Sequence, residues 1–205
     1  MNDELERELR SEAESQELEG FFRKLVSSYV NFPDNLKLEL KKSYRSWALM
    51  IEPDVCDYAI VAGKKGRNFN ALKVLVDRIG SNAGIEIEML LEGPPADDNR
   101  HIRKQLPYKV NPGWNPELIK AIVAKTLRYG GMGHVVLKVM KNKVVGETNP
   151  FDDQSFYWFL NMKSKAELVF VLALGQLMES IGTAQGQRLV PKPNAEQVFI
   201  LEKAG

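Results

Sequence analysis

Between two apolar helical stripes the chain carries Gly63-Lys64-Lys65-Gly66, a break that a continuous helix does not absorb. Glycine reaches backbone conformations that other residues rarely adopt, so two glycines three apart predict a tight bend between two helical segments. The segment before the bend is opened by Pro53 and Asp54 and sets Val55, Tyr58, Ala59 and Ala62 on one face. The segment after it turns Leu72, Leu75, Val76 and Ile79 inward and stops at Gly80. With 15 glycines in 205 residues, roughly one Gly-x-x-Gly is expected by chance, so the flanks must carry the argument. A second such stretch, Gly130-Gly131-Met132-Gly133, holds no basic residue and follows a helical pattern. Its glycines are expected to cap that helix.

The flanks of the first bend change period in an informative order. Leu18, Phe21, Phe22, Leu25, Val26, Tyr29 and Val30 recur at helical spacing and end near Asn31-Phe32-Pro33. Leu36, Leu38 and Leu40 alternate with polar residues, as do Trp47, Leu49 and Ile51 across a short polar turn, which predicts a hairpin. Ile85, Ile87, Met89 and Leu91 alternate after the second helical segment. The order is helix, strand, strand, helix, Gly turn, helix, strand, an α+β unit with one three-stranded sheet packed against helices.

The chemistry of the bend is cationic. Every charged residue over 59–76 is positive: Lys64, Lys65, Arg67 and Lys73. A turn without side chains at its corners can press backbone N–H groups against a sugar-phosphate strand, and lysines add charge that phosphates favour. A Gly-x-x-Gly loop that clamps single-stranded backbone is the device of KH domains. Val61-Ala62-Gly63-Lys64-Lys65-Gly66-Arg67, set in this element order, resembles the type II KH domain of the bacterial KhpA family of small RNA-binding proteins. The family pattern has a branched residue where Ala62 stands, and the helix before the turn reads as a little longer here. The resemblance covers 18–92, less than half of the chain. It implies that single-stranded RNA, or single-stranded DNA, is bound without a cofactor. Gly63 and Gly66 would permit close approach, Lys64 and Lys65 would pair with phosphates, and Arg67 and Lys73 would extend the basic track. Ile60, Val61, Phe69 and Leu72 would line a groove for bases, and Asn70 would belong to the same RNA-binding set. It also implies a bacterial post-transcriptional or ribosome-associated role, with a homodimer, a partner KH protein or the ribosome as further partners.

The rest of the chain divides by composition. Residues 1–17 form an acidic helix or tail; the first 20 residues carry eight acids against two arginines, leaving +7 on the remainder of a chain whose net charge is +1. A modestly basic body suits a polynucleotide partner. Five of the ten prolines fall between 92 and 116, which marks 93–114 as a linker. From 115 onward the order recurs. Asn115-Pro116-Glu117 starts a helix with an apolar stripe of Leu118, Ile119, Ile122, Val123 and Leu127. Val135, Leu137 and Val139 alternate as a strand, residues 156–160 form another, a long helix spans 163–181, and residues 187–190 are strand-like. At an offset of 102, Ile79-Gly80 falls on Ile181-Gly182, and the Gly63–Gly66 positions fall on Lys165-Ala166-Glu167-Leu168, which would continue a helix. The reading is a tandem of KH-like units, the second (115–205) without a clamp. Its aromatic run Phe156, Tyr157, Trp158 and Phe159 suits a core and interface, or a platform for stacking bases.

Other classes fit less well. Neither nucleotide-binding glycine loop is present, nor is a Gly-x-Ser-x-Gly elbow, so an enzyme is not expected. Cys56, His101 and His134 lack metal-ligand spacing, and a lone cysteine fits a reducing cytoplasm. The start has no apolar signal region, and the run 166–178 is short for a membrane span. A protein-interaction scaffold or dimerisation module that binds no RNA is the alternative.

Overall fold

A computed structural model describes residues 2–43, 46–93, 116–132, 156–159, 164–185, 188–193 and 198–204. Helix α1 (Asn2–Ser27) runs unbroken through the expected boundary at 17/18. Leu18, Phe21, Phe22, Leu25 and Val26 bury one face of it, and Tyr29 and Val30 follow into the core. After a short 3-10 turn (Pro33–Asn35), strands β1 (Lys37–Lys42) and β2 (Trp47–Glu52) form the expected antiparallel hairpin, with Leu38 opposite Ile51 and Leu40 opposite Leu49. All four of those side chains are buried, so the alternating pattern correctly marks the inner face. Strand β3 (Ile87–Leu91) lies parallel to β2, giving one mixed three-stranded sheet in the order β1-β2-β3.

The outer edge of β1 is closed by side chains of α1. Glu19 accepts the Leu40 N–H at 3.0 Å, and Arg23 donates to the carbonyls of Leu36, at 3.3 Å, and Leu38. Glu19 and Arg23 also pair with each other one helical turn apart, at 3.2 Å.

Helix α2 is short, Tyr58–Ala62, rather than starting at Pro53. Residues 55–57 form a turn that leads into it: Asp54 Oδ1 accepts the N–H of Cys56 at 2.9 Å, and the Asp54 carbonyl accepts those of Asp57 at 2.8 Å and Tyr58 at 3.1 Å. Val55 is consequently exposed rather than on an inner face, and Val61 is the buried residue of α2. Asp57, wholly buried, ties this region to the end of α1: its carboxylate accepts N–H bonds from Asn31 at 2.9 Å and Phe32 at 2.7 Å. Burial pushes the Asp57 carboxyl above its usual range, and the two amides oppose that rise. Asp57→Ala would leave both amides without their acceptor and is expected to cost about 2–3 kcal/mol, measurable by chemical denaturation.

Helix α3 (Arg67–Ala83) buries Leu72, Leu75, Val76 and Ile79 as expected but passes through Gly80. Gly80 is a packing glycine, since a Cβ there would lie 2.8 Å from the Ile85 carbonyl. The helix stops one turn later, where Gly84 adopts φ 73° and Ile85 N–H returns to the Gly80 carbonyl at 2.9 Å.

In the second half, helix α4 (Pro116–Tyr129) buries Ile119, Ile122, Val123 and Leu127. It ends as expected at the second glycine stretch: Gly131 takes φ 77°, and Met132 N–H reaches the Leu127 carbonyl at 2.8 Å. Helix α5 (Lys165–Ala184) is capped by Ser164, whose Oγ accepts the Glu167 N–H at 3.3 Å. Strands β4 (Phe156–Phe159), β5 (Arg188–Pro193) and β6 (Val198–Ala204) pair antiparallel in the order β4-β6-β5. Strand β6 carries no counterpart in the sequence reading.

These elements do not display the expected tandem. One continuous core joins Leu18–Ile79 side chains with Ile119, Phe170, Leu174, Leu177 and Ile181. The first sheet is mixed and the second antiparallel throughout. Apolar stripes on α4 and α5 align with those of the first half because both are helices against a common core. The expected linker 93–114, apart from Gly93, the strand around Val135–Val139 and the side chains of Phe156, Tyr157, Trp158 and Phe159 lie outside the described residues. Helix α5, at 20 residues, is long and apolar enough to cross a membrane by length and composition, which the shorter run 166–178 did not suggest; half of it is buried within this fold.

Candidate nucleic-acid interface

The bend between α2 and α3 is neither buried nor wound into a continuous helix. Gly63 takes φ 73° and ψ 167°, and residues Lys64–Gly66 make one 3-10 turn in which Gly66 N–H donates to the Gly63 carbonyl at 3.0 Å. Gly66 follows at φ 76° and ψ 14°. Lys65, at φ 56° and ψ 32°, is the one non-glycine residue with positive φ among the described residues. For a lysine that conformation costs about 1–2 kcal/mol, and strain of this kind gathers at functional loops.

Lys64, Lys65 and Arg67 are exposed, and no carboxylate pairs with them among the described residues. Three cations therefore stand at the amino end of α3, whose first turn holds no acidic residue and whose N-cap, Gly66, offers no side chain. The helix dipole adds to that positive field.

Other residues of the expected site fall differently. Asn70 and Lys73 are exposed on the outer side of α3, but Lys73 lies 3.5 Å from Asp77, which shortens the basic track. Ile60 and Phe69 are half-buried and pack against the core, leaving part of each at the surface. Val61 and Leu72 are wholly buried and line no groove. Val61 is the inward residue of a helix too short to bury any other. Further along α3 a larger groove is bordered by Lys73, Asp77, Glu86 and Glu88; three carboxylates against one ammonium give it the wrong sign for a polynucleotide.

The turn is fixed by Asn68, a residue the sequence reading passed over. Its Nδ2 donates to the Ile60 carbonyl at 2.8 Å, which locks the last turn of α2 to the first of α3. Its Oδ1 accepts from Gln176 Nε2 at 3.3 Å and from Ser180 Oγ at 3.0 Å, both on α5. Gln176 Oε1 in turn accepts from Arg67. A signal for Asn68 exists in the sequence: it precedes Leu72 by four positions, so it extends the inward stripe of α3 as a polar residue that must be satisfied. Gln176 and Ser180, also four apart, gave no such signal, because nothing in the sequence shows which helix α5 faces.

No protein-family model matches this chain, and no curated protein matches it. The geometry of the turn is thus the ground on which a function is assigned.

Proposed function

We propose that the chain binds single-stranded RNA through the Gly63–Gly66 turn, as a type II KH-like domain spanning 18–92. The observation that carries this reading is an exposed turn with left-handed backbone at Lys65 and Gly66, bearing Lys64, Lys65 and Arg67 with no carboxylate paired to them among the described residues. The element order on which the KH resemblance rests is the order the chain adopts over that span. Gly63 and Gly66 admit the strand, the lysines meet its phosphates, and Ile60 and Phe69 offer apolar surface to bases. RNA is preferred to DNA on the resemblance. The second half serves as a packing partner of α3 and not as a second clamp.

Fluorescence anisotropy with a labelled single-stranded RNA of mixed sequence tests the proposal. Affinity is expected to fall with salt at a log–log slope of about −2, from roughly −0.7 for each of three phosphate contacts. A duplex of the same sequence should bind much more weakly, since the turn grips one strand. A slope near zero would remove the phosphate clamp. The scaffold reading draws on Leu168, Val169 and Leu172, exposed at 37%, 44% and 44% on α5. It gains if no RNA is bound even at low salt.

A further inference from the structure

The turn faces a wall that residues 18–92 do not supply. Between the amino end of α3 and the carboxyl half of α5 lies a cleft of about 210 Å³, bordered by Lys64 and Arg67 on one side and by Gln176, Glu179 and Thr183 on the other. Two cations and one carboxylate give it a net positive character. Gln176 accepts a hydrogen bond from the Arg67 guanidinium and so holds that group at the cleft instead of leaving it free in solvent. A guanidinium has five N–H donors, and this bond occupies one of them.

We propose that this cleft extends the RNA site onto the second half of the chain: the strand that crosses the Gly63–Gly66 turn continues into it, with one phosphodiester between Lys64 and Arg67 and α5 as the far wall. The proposal rests on the clamp reading above and adds a location, a direction for the strand, and a role for α5. Gln176 is a positioning residue that acts through Arg67. Its amide is engaged at both ends, by Arg67 and by Asn68, and Ser180 is engaged with Asn68. Thr183 Oγ1 donates to the Glu179 carbonyl of its own helix at 2.9 Å. The polar groups of the wall are thus committed within the protein. The cleft contributes affinity for the backbone and no base preference. Glu179 stands against that affinity as the one carboxylate lining the cleft among the described residues.

Two substitutions in the full chain test this with the same labelled RNA, and thermal melting checks that each variant is folded. Gln176→Glu places a carboxylate on Arg67 and is expected to weaken binding about tenfold and make the salt slope shallower by about 0.7, the value of one phosphate contact. Glu179→Gln removes the opposing charge and is expected to tighten binding about threefold with the slope unchanged. Because the Glu179 side chain makes no hydrogen bond or ion pair among the described residues, its neutral variant remains informative even if Gln176→Glu unfolds. The proposal is overturned if Glu179→Gln binds as wild type while a Lys64 and Lys65 charge reversal abolishes binding; the strand then leaves the turn on the Asn70 side. If the lysine reversal itself has no effect, the clamp fails and this extension fails with it.

Discussion

Replacing Lys64 and Lys65 together by Asp is expected to weaken binding of single-stranded RNA by about 100-fold or more near physiological salt, and to make the salt slope shallower by about 1.4. Two of three phosphate contacts disappear, and two anions stand where the strand must approach. Aspartate is the informative choice because it tolerates the left-handed conformation that Lys65 occupies, so backbone strain is not added to the charge change. Both lysines are exposed and unpaired among the described residues, so stability should stay within about 0.5 kcal/mol of wild type. Anisotropy titrations and a thermal melt on the same preparation separate the two effects. Affinity that survives the double change would rule out this turn as the RNA contact.

The two glycines of the turn are expected to differ sharply when each is changed to alanine. At Gly63 a Cβ would lie 2.7 Å from the Asn68 backbone nitrogen and 2.8 Å from its side-chain carbon. Neither neighbour can yield, because Asn68 begins a long helix and is bonded to both α2 and α5. The φ of 73° and ψ of 167° belong to a region that is essentially glycine-only, so strain and clash combine to a loss of about 3 kcal/mol or more. At Gly66 the nearest atom to an added Cβ is Asn70 Nδ2 at 3.7 Å, ordinary contact. The cost there is the left-handed conformation alone, about 1–2 kcal/mol. Melting temperatures should drop by about 10 °C for Gly63→Ala and about 3–5 °C for Gly66→Ala, using the scaling for a chain of this size. Equal, small losses at both positions would mean that the turn is not built as described.

Much of the first sheet and its helices was legible because burial there follows simple periods. Leu38, Leu40, Leu49 and Ile51 alternate, and Leu72, Leu75, Val76 and Ile79 repeat at helical spacing; each is buried. The errors came where a side chain competes with the backbone or where packing partners are distant in sequence. Residues 55–57 stay in a turn bonded to Asp54 and α2 begins only at Tyr58, which apolar spacing cannot register. Gly80 resembles a helix stop, yet it is small because Ile85 and Ile87 press against it, and Gly84 makes the actual stop. The positive cluster was legible as charge, but its pairing of Lys73 with Asp77 and of Arg67 with Gln176 was not. The second of those contacts joins residues more than a hundred positions apart. The similarity of α4 and α5 to earlier helices suggested duplication, whereas the shared core and the different sheet directions do not display one.

The hold that Glu19 and Arg23 keep on the margin of β1 has a consequence for self-association. Main-chain groups that already have bonding partners offer no template to a neighbouring molecule. Within this sheet, growth by strand addition is therefore confined to the β3 side. Two copies meeting there about a two-fold axis would each use that border of this sheet, so pairing through this sheet closes at two copies.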